Sequence, residues 1–170
     1  MNREGSAEDW RIIGVGSPVA GDDLGWAAIA ALEAAGLNRC ADLLCLDRPG
    51  PSLLDHLQDR SAVILIDAMQ AGLPPGSVRV LSAAALITSA HPPSSHDLGL
   101  AEALALACAL GCIPDRLYVI GVETGPALDG ASRSAALREV ARLIQAMLSG
   151  NGSGLETFDP GRTVSSQQVQ

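Results

Sequence analysis

The stretch AVILID, Ala62–Asp67, decides the fold. Five apolar residues in succession leave no face for water, and the run is too short for a buried helix. A strand covered on both faces reads this way, and such strands lie inside parallel sheets clothed by helices. The acid that closes the run, Asp67, is then a polar group delivered to the carboxyl end of a central strand.

Working outward, the chain alternates between two periodicities. RIIGV (11–15) and ADLLCLD (41–47) read as strands, and RLYVIGV (116–122) as another. GSVRVLS (76–82) alternates apolar and polar residues, as an edge strand does, with antiparallel pairing open to it. DLGWAAIAALEAAG (23–36) reads as a helix closed by Gly36. SLLDHLQD (52–59) is a short helix, and HDLGLAEALALACALG (96–111) a longer one. In SRSAALREVARLIQAML (132–148), Leu137, Val140, Ala141, Ile144, Met147 and Leu148 follow helical spacing. The expected architecture is α/β: a three-layer αβα domain whose twisted, mostly parallel sheet has about five strands, with helices on both faces. Residues 1–10 are expected to be a flexible N-terminus, 11–149 a single domain, and 150–170 a disordered tail rich in Gly, Ser and Gln.

Composition narrows the function. The 170 residues are 48% hydrophobic but 2% aromatic, so the core is aliphatic. A net charge of −8 repels phosphate backbones and argues against nucleic acid as a partner. No signal sequence or membrane-spanning run is read, and the expectation is a cytoplasmic protein with reduced thiols and no membrane partner. Cys108 and Cys112 lie four apart. A zinc pair is one reading, and small buried core residues is the preferred one.

Open α/β sheets place their sites outside the carboxyl ends of the strands. Three distant segments send polar groups there: Asp22 and Asp23 after the first strand, Asp67 after the third, and His96 before the helix at 96–111. Each has a structural alternative. Asp22 suits an N-cap, with Asp23 in the first helical turn; Asp67 suits a strand end meeting water; His96 suits an ordinary helix start. Ser94 and Asp97 have capping-box spacing. A helix N-terminus disfavours imidazolium, and neutral imidazole is the form that binds metal. Two carboxylates and one imidazole suit a borderline divalent ion.

Two other readings compete. GVGSPV (14–19) begins like a dinucleotide fingerprint, and Asp47 could imitate its ribose-binding acid, but Val19 stands at the third glycine position and two aspartates repel pyrophosphate. Ser17, Ser94, Ser95 and the cysteines are candidate nucleophiles, yet no G-x-S-x-G elbow occurs.

The order GVGSPVAGDD, VILIDAMQAG, SSHDLGLAEALALA, LYVIGVE resembles the hydrogenase maturation endopeptidases over roughly residues 11–148. The resemblance implies an enzyme that trims the C-terminal extension of a nickel–iron hydrogenase large-subunit precursor after nickel insertion. It implies Asp23, Asp67 and His96 as catalytic and metal-contacting residues, with Asp22 capping and shaping the turn. The nickel would arrive with the precursor, and no organic cofactor is implied. The chain departs from the pattern at Gly16-Ser17, at Leu24-Gly25-Trp26 and at DRPG (47–50). The alternatives are a non-catalytic, chaperone-like metal-binding partner of a metalloenzyme and, behind it, a nucleotide-binding module.

Overall fold

In the computed structural model, residues 9–19, 21–81, 83–88 and 99–150 are described. Five strands form one sheet in the order β2-β1-β3-β5-β4. They are β1 (Trp10–Gly16), β2 (Asp42–Asp47), β3 (Ala62–Met69), β4 (Val78–Leu81) and β5 (Arg116–Glu123). The first, second, third and fifth strands run parallel, and β4 pairs antiparallel with β5 at the edge. Every residue of β3 is buried, as its uninterrupted apolar run requires. The strand continues two residues past Asp67, so this acid lies within the strand and not at its end as the sequence suggested.

Pleating divides the apolar residues between two cores. On one face Ile12, Ile64, Ile66, Ile120 and Val122 pack beneath α1 (Leu24–Ala34) and α5 (Gly130–Leu148). On the other, Ile13, Val63, Leu65, Leu117 and Val119 pack beneath α2 (Leu53–Leu57), α3 (Ala83–Thr88) and α4 (Gly99–Ala109). The expected three-layer architecture is therefore present. Helix α5 buries Val140, Ile144 and Met147 of the expected stripe together with Ala136, while Leu137, Ala141 and Leu148 pack half-buried against the same core. It starts two residues earlier than expected, because the Asp129 carboxylate accepts a hydrogen bond from the Ser132 amide at 2.7 Å. Helix α3 has no counterpart in the sequence reading. Its six residues, AAALIT, are too few for a helical period to stand out.

Two glycines let α1 descend onto the sheet. A Cβ on Gly25 would lie 2.1 Å from the Val15 carbonyl oxygen, and one on Gly14 would lie 2.3 Å from the Gly25 carbonyl oxygen. The start of α1 is thereby pressed against β1 and β3, and the loop leading to it has little freedom.

The cysteines depart from the expected core role. Cys40, Cys45 and Cys108 are exposed and Cys112 is half-buried. Cys112 lies beyond the end of α4, so it and Cys108 do not form a pair on one helical face. The buried positions of α4 are Leu100, Ala103, Leu104 and Ala107, and that spacing leaves Cys108 pointing outward.

Candidate functional site

The candidate site grows from β3. Asp67 shares the side of the sheet that carries Val63 and Leu65, facing α3 and α4, and is only 3% exposed. Its sheet neighbour is Gly121 on β5. Around it lies a cavity of about 10 Å³ lined by Leu81, Leu86, Leu100, Val119 and Gly121. These walls are apolar. Neither carboxylate oxygen of Asp67 has a hydrogen-bond partner among the described residues. Burial pushes the carboxyl up to about 7; the nearby Ala68 amide opposes the rise without meeting hydrogen-bond geometry, and the charge of Asp22 adds to it. An unpartnered carboxylate at such a depth is expensive, and sites of this kind are commonly functional.

The loop between β1 and α1 supplies the second acid. Asp22 is 5% exposed and Ser17 is fully buried. The Ser17 hydroxyl donates to the Asp22 carboxylate. The Ser17 amide donates to the Asp22 carbonyl at 3.2 Å, and the Asp22 amide to the Val19 carbonyl at 3.0 Å. The Val19 amide reaches the Ser17 hydroxyl at 3.4 Å. These loop amides are spent within the loop, so they do not form the open N–H cradle a pyrophosphate needs. Buried Ser17 is likewise committed to Asp22 and is not presented as a nucleophile.

The roles expected of the aspartate pair change in part. Asp22 was expected as the cap, but Asp23 holds the N-cap position of α1, and its side chain makes no capping hydrogen bond. Instead its carboxylate receives both arms of the Arg133 guanidinium, at 3.1 and 2.7 Å. Arg133 stands near the start of α5, on the opposite side of the sheet from α3 and α4. Asp22 is thus the acid whose charge Asp67 senses, while Asp23 is held by a cation contributed from 110 residues further along the chain.

His96, the third expected site residue, falls in the connection between α3 and α4 and lies outside the described residues, as do His91, Ser94, Ser95 and Asp97. Among the described residues, no group of three or more His, Cys, Asp and Glu side chains is arranged to hold a metal ion.

Two residues that the sequence reading did not single out complete the rim. Arg133 is one. The other is Glu123, buried at the end of β5, whose carboxylate accepts from the amides of Ala71 at 2.9 and 3.0 Å and Gly72 at 3.1 Å. It ties the segment after β3 to the end of β5 and fixes the backbone just beyond Asp67. Trp26 anchors the other side, donating its indole N–H to the Leu46 carbonyl at 3.1 Å.

Residues 48–149 match the family model described as hydrogenase maturation protease. The chain belongs to the hydrogenase maturation protease family. Among curated relatives of this family member, the hydrogenase expression/formation protein HupD of Thiocapsa roseopersicina is 30% identical over 116 residues, covering 66% of this chain and 52% of that protein. The hydrogenase expression/formation protein HoxM of Cupriavidus necator is 34% identical over 76 residues, covering 44% of this chain and 38% of that protein. The matched region thus spans about half or less of the length of these relatives. Among solved structures, an endopeptidase from Escherichia coli superposes with a TM-score of 0.69 at 22% identity, covering 91% of this chain and 99% of that one. The hydrogenase maturating endopeptidase HybD from E. coli gives a TM-score of 0.61 at 24% identity, covering 84% and 94%. At these identities the structural likeness is one of fold.

Proposed function

We propose that this family member is an endopeptidase that removes the C-terminal extension of a nickel–iron hydrogenase large-subunit precursor once nickel has been inserted. The observation that carries this reading is the Asp67 carboxylate: buried on a central strand, walled by apolar side chains and without a hydrogen-bond partner among the described residues. A fold retains such a group where a ligand will meet it, and a divalent cation is the ligand best suited to an orphaned carboxylate.

In this proposal Asp67 and His96 contact the nickel carried by the precursor, with Asp22, the acid whose charge Asp67 senses, in the place expected of Asp23, whose carboxylate Arg133 holds. The metal is part of the substrate, and its position selects the peptide bond to be cut. Asp67 is ionised when it meets the cation, so the proton its apolar pocket favours leaves on engagement. Asp22, oriented by Ser17, holds negative charge beside Asp67 and adds to the attraction for a cation. Val19, 63% exposed on the same loop, offers an apolar contact to the incoming chain. Hydrolysis then needs a water whose proton passes to a carboxylate as its oxygen attacks the scissile carbonyl, with a proton returned to the departing amine. No helix among the described residues is long and apolar enough to cross a membrane. The cytoplasm is the proposed place of action.

The test is incubation of the purified protein with nickel-loaded large-subunit precursor, followed by intact-mass measurement. The proposal expects a discrete loss equal to one C-terminal peptide. A precursor of unchanged mass after binding would replace this reading with that of a non-catalytic partner.

A further inference from the structure

Arg48, directly after β2, holds a backbone conformation that its sequence opposes. Its φ is 41°, in the left-handed region. Asp59 is the other non-glycine residue with positive φ among the described residues, and aspartate is one of the few side chains that tolerate it. Arginine has no such tolerance, and Pro49 follows, which presses the residue before it toward extended backbone. Glycine would sit here without strain. Strain of this kind persists only where the surroundings enforce it, and it clusters at binding and catalytic sites.

The place is the rim of the candidate site. Gly16 and Asp47 are sheet neighbours at the carboxyl ends of β1 and β2, and the Arg48 amide donates to the Gly16 carbonyl at 3.2 Å. The next residue, Ser17, is the one whose hydroxyl holds Asp22. The Asp47 carboxylate accepts from Arg48 Nε at 2.7 Å and sets the direction of the guanidinium. Asp47 first, and Asp22 more weakly, favour its charged form. Nε is thereby spent, and neither Nη1 nor Nη2 has a partner among the described residues. The side chain is 57% exposed. Two parallel N–H arms, steadied from behind and open in front, are the geometry that takes a carboxylate in a two-point grip.

We propose that Arg48 is a binding residue for the precursor: its two Nη groups receive a carboxylate on the C-terminal extension and seat that segment against the rim beside Asp22. This rests on the reading of the protein as a peptidase that acts on such a precursor. The surrounding charge makes the contact selective. Asp22 and Asp47 flank the guanidinium and repel an anion that arrives anywhere but on its open arms. The strained backbone holds the arms at the rim, so the fork is in place before the precursor arrives.

The test is biolayer interferometry of the full chain on immobilised nickel-loaded large-subunit precursor, with the melting temperature of each variant measured alongside. Arg48→Gln is expected to bind about tenfold more weakly, the worth of a charge-assisted pair at an exposed position. Arg48→Lys keeps the charge but loses the fork, and is expected to lose less. Arg48→Gly is expected to bind as weakly as the glutamine variant while melting no lower than the parent, because glycine adopts positive φ freely. Two altered precursors identify the carboxylate. In one, every Asp and Glu of the extension is changed to Asn and Gln; in the other, an amidated C-terminus is installed by peptide ligation. One of them is expected to bind the parent about tenfold more weakly and to bind Arg48→Gln no worse than the unaltered precursor does. Which one does so tells a side-chain carboxylate from the terminal one. Parent-like affinity in folded Arg48→Gln and Arg48→Gly would overturn the proposal, as would a parent whose binding neither altered precursor weakens. A marked fall in the melting temperature of Arg48→Gly would also overturn it, by showing that the side chain serves the fold. Binding is read here and cleavage is not, so a precursor that is bound and never cut would refute the peptidase reading and leave this site standing.

Discussion

Replacing Asp67 with Asn should make the protein more stable and less able to work, and the balance should depend on pH in a defined direction. The carboxyl moves from an ordinary value of 3.8 to about 7 on folding, chiefly through burial. Folding therefore takes up a proton between those two values, and stability falls as pH rises through that interval. Below pH 3.8 the penalty is absent, and above about 7 it is complete. At about 1.4 kcal/mol per pKa unit, the ionised form is held in the fold at an expense on the order of 4 kcal/mol. Asparagine fills nearly the same space and never ionises. Urea unfolding of parent and variant at pH 4.5 and pH 8.5 should show the variant's advantage growing by several kcal/mol toward the alkaline end, with little change in denaturant slope. A variant less stable than the parent at pH 8.5, or a difference that does not move with pH, would refute the claim that Asp67 is an orphaned buried carboxylate.

Two further outcomes test how the site is framed. Gly25→Ala should gain about 1 kcal/mol from helix propensity but lose about 3 kcal/mol to the clash of its Cβ with the Val15 carbonyl oxygen, 2.1 Å away, so a clearly lower melting temperature is expected. A raised or unchanged melting temperature would show that α1 can lift from the sheet. Asp42 lies at the start of β2, where Arg11 first and Arg60 second hold its carboxyl below 3.8. Its ion pairs should add up to about 1 kcal/mol at neutral pH, a contribution that shrinks as pH falls from 3.8 through the lowered folded-state value, so Asp42→Asn should melt lower than the parent at pH 7 and the gap should narrow steadily on acidification below 3.8.

The sheet was legible because its central strand has no polar face. AVILID admits one environment, and VRVL, with Arg79 exposed and none of its residues fully buried, marks the edge. Helix α5 was legible through its apolar stripe, of which Val140, Ile144 and Met147 are buried. Helix α3 was not, since AAALIT is short and uniformly small or apolar. At the site, Asp67 could be found because an acid directly after an uninterrupted apolar run has few reasons to be there. The partition of Asp22 and Asp23 could not. It is decided by Ser17, which turns Asp22 inward, and by Arg133, brought to Asp23 by the packing of α5 beside α1. Local capping rules see neither. The cysteines were misjudged for a related reason: a small thiol carries no periodic signature, and the buried face of α4 is made by leucines and alanines.

The central claim is that the protein reads nickel in its substrate through Asp67 and its partners. The most direct measurement is a side-by-side cleavage assay on nickel-loaded and nickel-free precursor, with parent, His96→Ala, Asp67→Asn and His56→Ala proteins verified as folded by circular dichroism. The account predicts cleavage of loaded precursor by the parent and by His56→Ala, and none by His96→Ala or Asp67→Asn. It also predicts that nickel-free precursor stays intact throughout. Equal cutting of nickel-free precursor by the parent, or parent-rate processing by either site variant, would contradict it.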